Sequence, residues 1–172
     1  MLGLAAAMVL PAPAAAQGTR LRVVVDAAAG LQLNVRGDNR SVAVGLALND
    51  RVDLLARAER IHQPTERSQF AVTRGGTGTF VSGELRVVPV RFGRTSPYLL
   101  ASVGRGESRL NVNERFPDPV TNDAWLVLLG AGARVPLSRR VGVFADVRVG
   151  VQGELDVIGL LVPLRVGMFL AF

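Results

Sequence analysis

Between Val141 and Val157 the sequence reads VGVFADVRVGVQGELDV, and apolar residues occupy nearly every odd position. Successive side chains of a β-strand point to opposite faces of the sheet, so this period of two predicts a strand with one apolar and one polar face. The polar side chains lie at even positions, and they are Asp146, Arg148, Gln152, Glu154 and Asp156.

A second long run of the same kind lies near the other end of the chain. Between Leu21 and Asn34 every odd position carries Leu, Val or Ala, and the charged and amide residues lie at even positions. Strands of soluble proteins usually have about 5 to 6 residues, whereas a strand that crosses a bilayer at a tilt needs about 9 to 11. The length of both runs therefore predicts strands that cross a membrane.

The second face of the predicted strands carries small residues as well as charges. Glycine weakens a strand and gives a solvated outer face no advantage. In a barrel of about eight strands, side chains just fill the interior, so small residues are needed among the large ones. We therefore expect the polar and small face to line the interior and the aliphatic face to contact lipid. The small residues are Ala43, Gly45, Ala47, Gly130, Gly132, Gly142, Gly150, Gly167 and Ala171.

Turn-forming residues divide the chain into about eight strands. The predicted fold is all-β, an eight-stranded antiparallel up-and-down transmembrane β-barrel. Its longest loops are His62–Gly78 and Asn113–Asp123, and a short connection at Ile158–Leu160 leads into a last strand that ends at Phe172. The other predicted strands are Arg20–Val35, Arg40–Leu48, Arg51–Ile61, Thr79–Val90, Pro97–Val112, Ala124–Leu137 and Val141–Val157.

Charges of both signs fall on the inward face of these strands. Buried charges in a narrow interior must pair, because an unpaired charge in a low-dielectric environment is costly. We therefore predict a network of ion pairs that fills the interior and holds the barrel in shape. The charges form no single-sign ring, so a selective pore is not favoured, and a weak ion path is the alternative. The predicted members are Arg22, Asp26, Asp53, Arg57, Glu59, Glu84, Arg86, Arg134, Asp146, Arg148 and Arg165.

The N-terminal segment has a different composition. Residues 1–16 carry no charge and end in three alanines before Gln17, and small residues at this point fit a signal-peptidase site. We predict that residues 1–16 are a signal peptide and that residues 17–172 form one barrel domain. The chain has no cysteine, which excludes disulfides and thiolate chemistry.

Candidate catalytic residues are few. His62 is the one histidine of the chain, and with Ser41, Glu66 or Ser68 it would form a nucleophile and base set. No spacing supports that set, so an ordinary loop histidine is the simpler interpretation. No grouping of histidine and carboxylates predicts a metal site. We therefore expect no catalytic residue, no metal and no cofactor.

The last eight residues, Arg165–Phe172, read RVGMFLAF. A polar residue, a glycine two positions later and hydrophobic residues at the third-last and last positions resemble the terminal β-signal of bacterial outer-membrane proteins. These residues are Arg165, Gly167, Leu170 and Phe172. The chain as a whole is similar to the small eight-stranded barrels of the outer membrane protein A type. The resemblance implies location in the outer membrane of a Gram-negative cell and recognition of the C-terminus by the barrel-assembly machinery.

The resemblance also implies a function. It is that of a non-enzymatic barrel, structural or weakly pore-forming, acting as a monomer among outer-membrane lipid and lipopolysaccharide. Aromatic girdles should flank its lipid band, and the candidates are Phe80, Phe92, Tyr98 and Trp125. Two alternatives stay open: a lipid-A-modifying enzyme on the same scaffold, and a secreted soluble β-barrel that binds an apolar ligand.

The net charge of +6 comes from 20 basic and 14 acidic residues, and every basic residue is an arginine. A nucleic-acid surface concentrates such charge in patches. Here the arginines are scattered among acids, and no basic run is interleaved with aromatic residues. We therefore expect no nucleic-acid partner.

Overall fold

The computed structural model describes residues 21–67, 72–73, 75–112, 117–154 and 157–172. In these ranges the chain forms eight long antiparallel strands that close into a barrel. The described residues contain no helix long and apolar enough to span a membrane. The strands are β1 (Arg22–Gln32), β2 (Asp38–Ala47), β3 (Val52–Gln63), β4 (Gly76–Val87), β5 (Ser96–Leu110), β6 (Val120–Pro136), β7 (Val141–Glu154) and β8, which has two segments, Val157–Leu161 and Pro163–Ala171.

The barrel closes between its first and last strands. Each strand pairs with its neighbour in the chain, and β1 pairs with β8, with Val24 opposite Ala171. Beyond this ladder, Val23 and Phe172 exchange two backbone hydrogen bonds of 3.1 and 3.0 Å. The predicted eight-stranded up-and-down barrel is therefore confirmed. A closed sheet has no open edge strand, which satisfies the backbone polar groups along the seam.

The beginning of β8 differs from the sequence prediction. Residues 158–160, expected to be a connection, belong to the strand, and Leu160 lies opposite Val151 of β7. Val157 is also a residue of β8 and not the end of β7, because it pairs with Glu154. Alternation alone could not place this boundary, because the apolar residues that follow Val157 carry no turn signal apart from one glycine.

The two ends of the barrel carry different connections. One end, the turn end, holds the C-terminus and the connections at 48–51, 88–95 and 137–140. The opposite end, the loop end, holds the connections at 33–37, 64–75 and 111–119, and within 64–75 the pairs Glu66–Arg67 and Val72–Thr73 form a short ladder. Both predicted long loops are shorter than expected, because β3, β4 and β6 extend into them, whereas β5 ends at Leu110, two residues before its predicted end. The predicted signal peptide, residues 1–16, lies outside the described residues.

The wall has an aliphatic outer face and a mixed inner face. Along β3, Leu54 is 47% exposed, whereas Asp53 and Arg57 are each 1% exposed. Val81 and Val103 on the next two strands are 66% and 65% exposed. Charges inside and aliphatic side chains outside are the reverse of a water-soluble domain, in which charged residues are almost never fully buried.

Apolar clusters lie toward both ends of the interior, beside buried polar residues such as Asn39 at the loop end and Asp53 at the turn end, and a charged layer lies between them. At the loop end the buried cluster consists of Ile61, Phe80, Ala124, Leu126, Leu128 and Leu161. Toward the turn end two further clusters contain Val24, Ala28, Ala43, Ala47, Leu55, Val88, Tyr98, Leu100 and Phe144.

Gly45 on β2 shows how little space the interior leaves. A Cβ atom at this position would lie 2.6 Å from Leu55 Cα and would overlap the carbonyl oxygen of Leu54. Gly83 on β4 is the opposite case, because it faces outward and a Cβ atom there would meet nothing within 4 Å. The small residue at position 45 is therefore required by the close approach of β3.

We expect Gly45→Ala to lower the free energy of unfolding by about 1 to 3 kcal/mol, because the added methyl group forces the neighbouring backbone to shift. The matched control is Gly83→Ala, which should leave stability unchanged or raise it slightly, since glycine weakens a strand. Urea unfolding of the refolded protein in lipid vesicles measures both values. Equal effects of the two substitutions would contradict the described packing.

Candidate functional site

The middle of the interior holds four arginines and four carboxylates, which we call the interior network. All eight residues are buried, with exposures of 3% or less. They are brought together from five strands because alternate residues of each strand point inward. Their formal charges cancel. The members are Asp26, Arg57, Glu59, Glu84, Arg86, Asp146, Arg148 and Arg165.

Asp26 and Glu84 anchor one half of the network. Arg57 donates from Nε to Glu84 Oε2 at 2.9 Å and from Nη2 to Asp26 Oδ2 at 3.0 Å. Arg86 donates to the same two carboxylates, from Nε to Glu84 Oε1 and from Nη2 to Asp26 Oδ2, both at 2.6 Å. Each acid therefore binds two guanidinium groups through charge-assisted hydrogen bonds, which are the strong kind.

Asp146 anchors the other half. Arg165 donates to it through two parallel bonds, Nε to Oδ1 at 3.0 Å and Nη2 to Oδ2 at 2.9 Å. Arg148 Nε donates to Oδ1 at 3.0 Å, and the Tyr98 hydroxyl donates to Oδ2 at 2.9 Å. The paired bonds from Arg165 fix the plane of the carboxylate as well as its position.

Two contacts join the halves. Arg148 Nη1 lies 2.8 Å from Glu84 Oε2. Ser41 Oγ accepts hydrogen bonds from Arg57 Nη1 at 2.8 Å and from Arg165 Nη1 at 3.0 Å. The network is therefore one connected unit, and the loss of a member leaves its partners buried without compensation.

Glu59 is the member with the weakest contacts. Its Oε1 lies 3.9 Å from Arg165 Nη1, and neither carboxylate oxygen has a hydrogen-bond partner among the described residues. Burying an ion costs several kcal/mol even after relaxation, and only good geometry with a partner offsets that cost. Glu59 therefore contributes its charge to the balance of the network more than it contributes bonds.

Three of the eleven predicted charges lie outside the interior network. Asp53 and Arg134 form a separate ion pair nearer the turn end, with the Arg134 side chain 16% exposed. The prediction that Arg22 points into the interior is wrong, because its side chain is 44% exposed and lies 2.6 Å from Asp50 in the connection between β2 and β3. Arg22 is the first residue of β1, and at the rim a long side chain can reach over the neighbouring turn.

Two of the predicted interfacial aromatics also point inward. Tyr98 is 2% exposed and Phe80 is fully buried, so their assignment to the outer surface is wrong. Both share a strand face with inward residues, as Phe80 does with Glu84. The Arg86 guanidinium carbon lies 5.3 Å from the Tyr98 ring centroid and 5.2 Å from that of Phe144, which are cation–π distances.

The other two predicted aromatics lie on the outer surface. Trp125 is 40% exposed on β6, and Phe92 is 67% exposed in the connection between β4 and β5. They lie toward opposite ends of the barrel, Trp125 toward the loop end and Phe92 at the turn end.

Glycines on β6 leave room for the network. A Cβ atom on Gly132 would lie 2.6 Å from Asp146 Cβ, and one on Gly130 would lie 3.1 Å from Arg148 Cγ. No residue of β6 belongs to the network, so this strand supplies space while its neighbour β7 supplies the charges. The alternation of the sequence predicts that these glycines face the interior. It does not predict which charged side chains lie against them.

The predicted C-terminal signal has residues on both faces of β8. Arg165 is fully buried in the interior network, whereas Leu170 and Phe172 are 39% and 62% exposed on the outside. A Cβ atom on Gly167 would lie 2.6 Å from the ring of Phe144. In the folded barrel Arg165 and Gly167 thus serve interior packing, and recognition by the assembly machinery stays a prediction.

Of the considered catalytic set, the structure describes the side chains of His62 and Ser41, which bind different partners. His62 Nδ1 lies 3.2 Å from Thr77 Oγ1 at the loop end, while Ser41 binds two arginines of the interior network. Ser68 and the side chain of Glu66 lie outside the described residues. Among the described residues, no group of three histidine or carboxylate side chains could hold a metal ion. The sequence suggests Ser41 only as a nucleophile. That its hydroxyl bridges Arg57 and Arg165 could not be predicted from the sequence.

No family model matches the sequence, and no curated protein matches it. Solved structures do match. The N-terminal β-barrel domain of Pseudomonas aeruginosa OprF is similar with a TM-score of 0.60 and 14% identity, over 88% of this chain and 97% of that one. Neisserial surface protein A gives 0.61 and 14%, over 88% and 96%. The attachment invasion locus protein of Yersinia pestis, crystallised with the heparin analogue sucrose octasulfate, gives 0.57 and 14%, over 88% and 98%. The chain therefore has the fold of the small eight-stranded outer-membrane β-barrels.

Proposed function

We propose that this protein is a structural, non-enzymatic barrel that spans the bacterial outer membrane and is closed to ions. One observation carries the proposal: a charge-balanced network fills the middle of the interior, with apolar clusters on both sides of it. An ion would have to displace paired guanidinium and carboxylate groups to pass through the barrel. A desolvated ion in such surroundings is costly, so a filled interior favours a structural role.

The outer face supports insertion in a bilayer. Aliphatic side chains cover it on every strand, and examples exposed by half or more include Val42, Val81, Leu99, Val103, Leu129, Val149 and Val166. An outward apolar band with a polar interior is the arrangement of outer-membrane barrels. A soluble barrel that binds an apolar ligand would need the opposite distribution.

The proposal includes the route to the membrane and the partners there. Residues 1–16 direct export and are removed, and the barrel-assembly machinery recognises Arg165, Gly167, Leu170 and Phe172 in the unfolded chain. In the membrane the barrel is a monomer surrounded by lipid and lipopolysaccharide, because a closed sheet offers no edge for pairing with a second copy.

The first test combines gel mobility with conductance. Refolded protein comprising residues 17–172 should migrate faster in SDS without boiling than with boiling, because a closed barrel resists the detergent. In planar bilayers it should give no steady single-channel current, since the interior is filled. A general porin in the same bilayers serves as the positive control. Long-lived channels would contradict closure, and solubility in plain buffer with unchanged mobility would contradict the membrane location.

The second test concerns the interior network. We expect Asp146→Asn to lower the free energy of unfolding by about 3 to 5 kcal/mol, because buried Arg165 loses the carboxylate that it binds through two bonds and Arg148 keeps only Glu84. Urea unfolding in lipid vesicles measures the change.

The matched control is Asp50→Asn at the turn end. Asp50 also lies near two arginines, Arg22 at 2.6 Å and Arg91 at 3.6 Å, but all three side chains are exposed. Exposed ion pairs contribute about 0 to 1 kcal/mol, so this variant should remain nearly as stable as the parent. A small effect at Asp146 would show that the network does not hold the barrel.

A further inference from the structure

An unusual group of arginines lies on the outer wall near the loop end. Arg40 on β2 is directly opposite Arg60 on β3, and both are exposed. Like charges directly opposite each other destabilise a sheet. Arg105 on β5 is also exposed, and it lies opposite Val81 of β4. We call the outward faces of β2 to β5 the arginine panel.

The chain supplies little negative charge to this panel. Arg40 Nε lies 3.9 Å from Asp38, a long contact between exposed groups. Among the described residues, Arg60 and Arg105 have no ion-pair partner. Glu107 is the other outward carboxylate here, and it lies opposite Thr79 of β4 on one side and Asp123 of β6 on the other. The panel therefore keeps a net positive charge at the margin of the apolar band.

A groove runs along the wall below the arginines, toward the turn end. It arises because Ala56, Gly83 and Ala101 are small while Val44 and Val103 beside them stand out from the wall. Its volume is about 700 Å³. A second concavity of about 360 Å³ shares Val44 and Ala56 and reaches Ala58, two residues from Arg60 along β3. The grooves and the arginines therefore form one continuous surface.

We propose that the longer connections of the loop end face outward and that the arginine panel binds an anionic lipid of the outer leaflet, with phosphate groups on Arg40, Arg60 and Arg105 and acyl chains in the groove. Arginine suits phosphate because its planar fork of donors matches the phosphate oxygens. Arg105 lies three strands from Arg40 and two residues along β5 from its row, which is about 16 Å along the wall. A lipid with two separated phosphates on a sugar, such as lipid A, spans this distance better than a lipid with a single phosphate. The proposal rests on the outer-membrane location proposed above.

Native mass spectrometry of the refolded barrel, released from detergent, tests the proposal. The probes are diphosphorylated lipid A and zwitterionic phosphatidylethanolamine at equal concentrations. We expect the parent protein to retain lipid A preferentially. The double variant Arg40→Gln, Arg60→Gln should bind it at least about tenfold more weakly, because charge-assisted bonds to phosphate are lost.

The matched control for the charges is Arg51→Gln, Arg94→Gln, which removes the same charge from exposed arginines at the turn end. It should retain lipid A like the parent. Gly83→Leu fills the groove where space is open, and it should also weaken binding, whereas Ala145→Leu on the outer face of β7 should not.

Three results would overturn the inference: equal retention of both lipids, equal loss in the two double variants, or displacement of lipid A by a soluble sulfated sugar. Gel mobility of every variant with and without boiling is recorded in parallel. A protein that forms no SDS-resistant barrel would overturn the proposed function itself, while a resistant barrel without lipid preference would overturn only this inference.

Discussion

The pairing of buried charges inside a closed eight-stranded sheet is the constraint on which the rest of the structure depends. Eight strands leave an interior that side chains just fill, so each inward guanidinium must find a carboxylate within that space. Glu84 meets this requirement for three arginines, since Arg57, Arg86 and Arg148 all lie within 2.9 Å of its carboxylate. The register of β4 against its neighbours is therefore tied to the charge pattern, because a slip of one residue would turn Glu84 outward.

The same constraint explains why the strands differ in composition. β7 carries Asp146 and Arg148 on its inner face, and the adjacent β6 carries Gly130 and Gly132 where those side chains lie. Tyr98 both fills space and binds a charged group, because its ring packs on Arg86 and its hydroxyl donates to Asp146. A buried tyrosine needs a hydrogen-bond partner for its hydroxyl. Here that partner is an anion which already binds two arginines.

The sequence predicts most of this arrangement through parity alone. Alternation places Asp146 and Arg148 inside, and it does the same for eight further members of the predicted set. Parity gives the wrong direction at the end of a strand, where a long side chain can leave the interior. Arg22 has the correct parity but lies at the rim, where its side chain reaches Asp50.

Two other predictions fail for different reasons. The aromatic residues Phe80 and Tyr98 are assigned outward from their type and height, although their parity points inward. The start of β8 lacks a strong turn signal, so the prediction shifts it by several residues. Which carboxylate binds which arginine also cannot be predicted, because partners such as Asp26 and Arg86 lie 60 residues apart in the chain and meet only when the registers of several strands are fixed.

The arginines inside the barrel and those on its outer wall differ in how their charge is balanced. In the interior network four arginines face four acids, and the separate Arg134 pairs with Asp53. On the outer wall of β2 to β5, Arg40 and Arg60 face each other instead. Inside, the fold itself must supply the counter-charge, because no other anion has access. Outside, an excess of arginine persists at low cost only if the surroundings supply anions, since exposed charges can exchange partners with solvent and lipid. The arrangement of a single residue type thus separates the interior, where the fold supplies every counter-charge, from the outer wall, where we propose that the membrane supplies it.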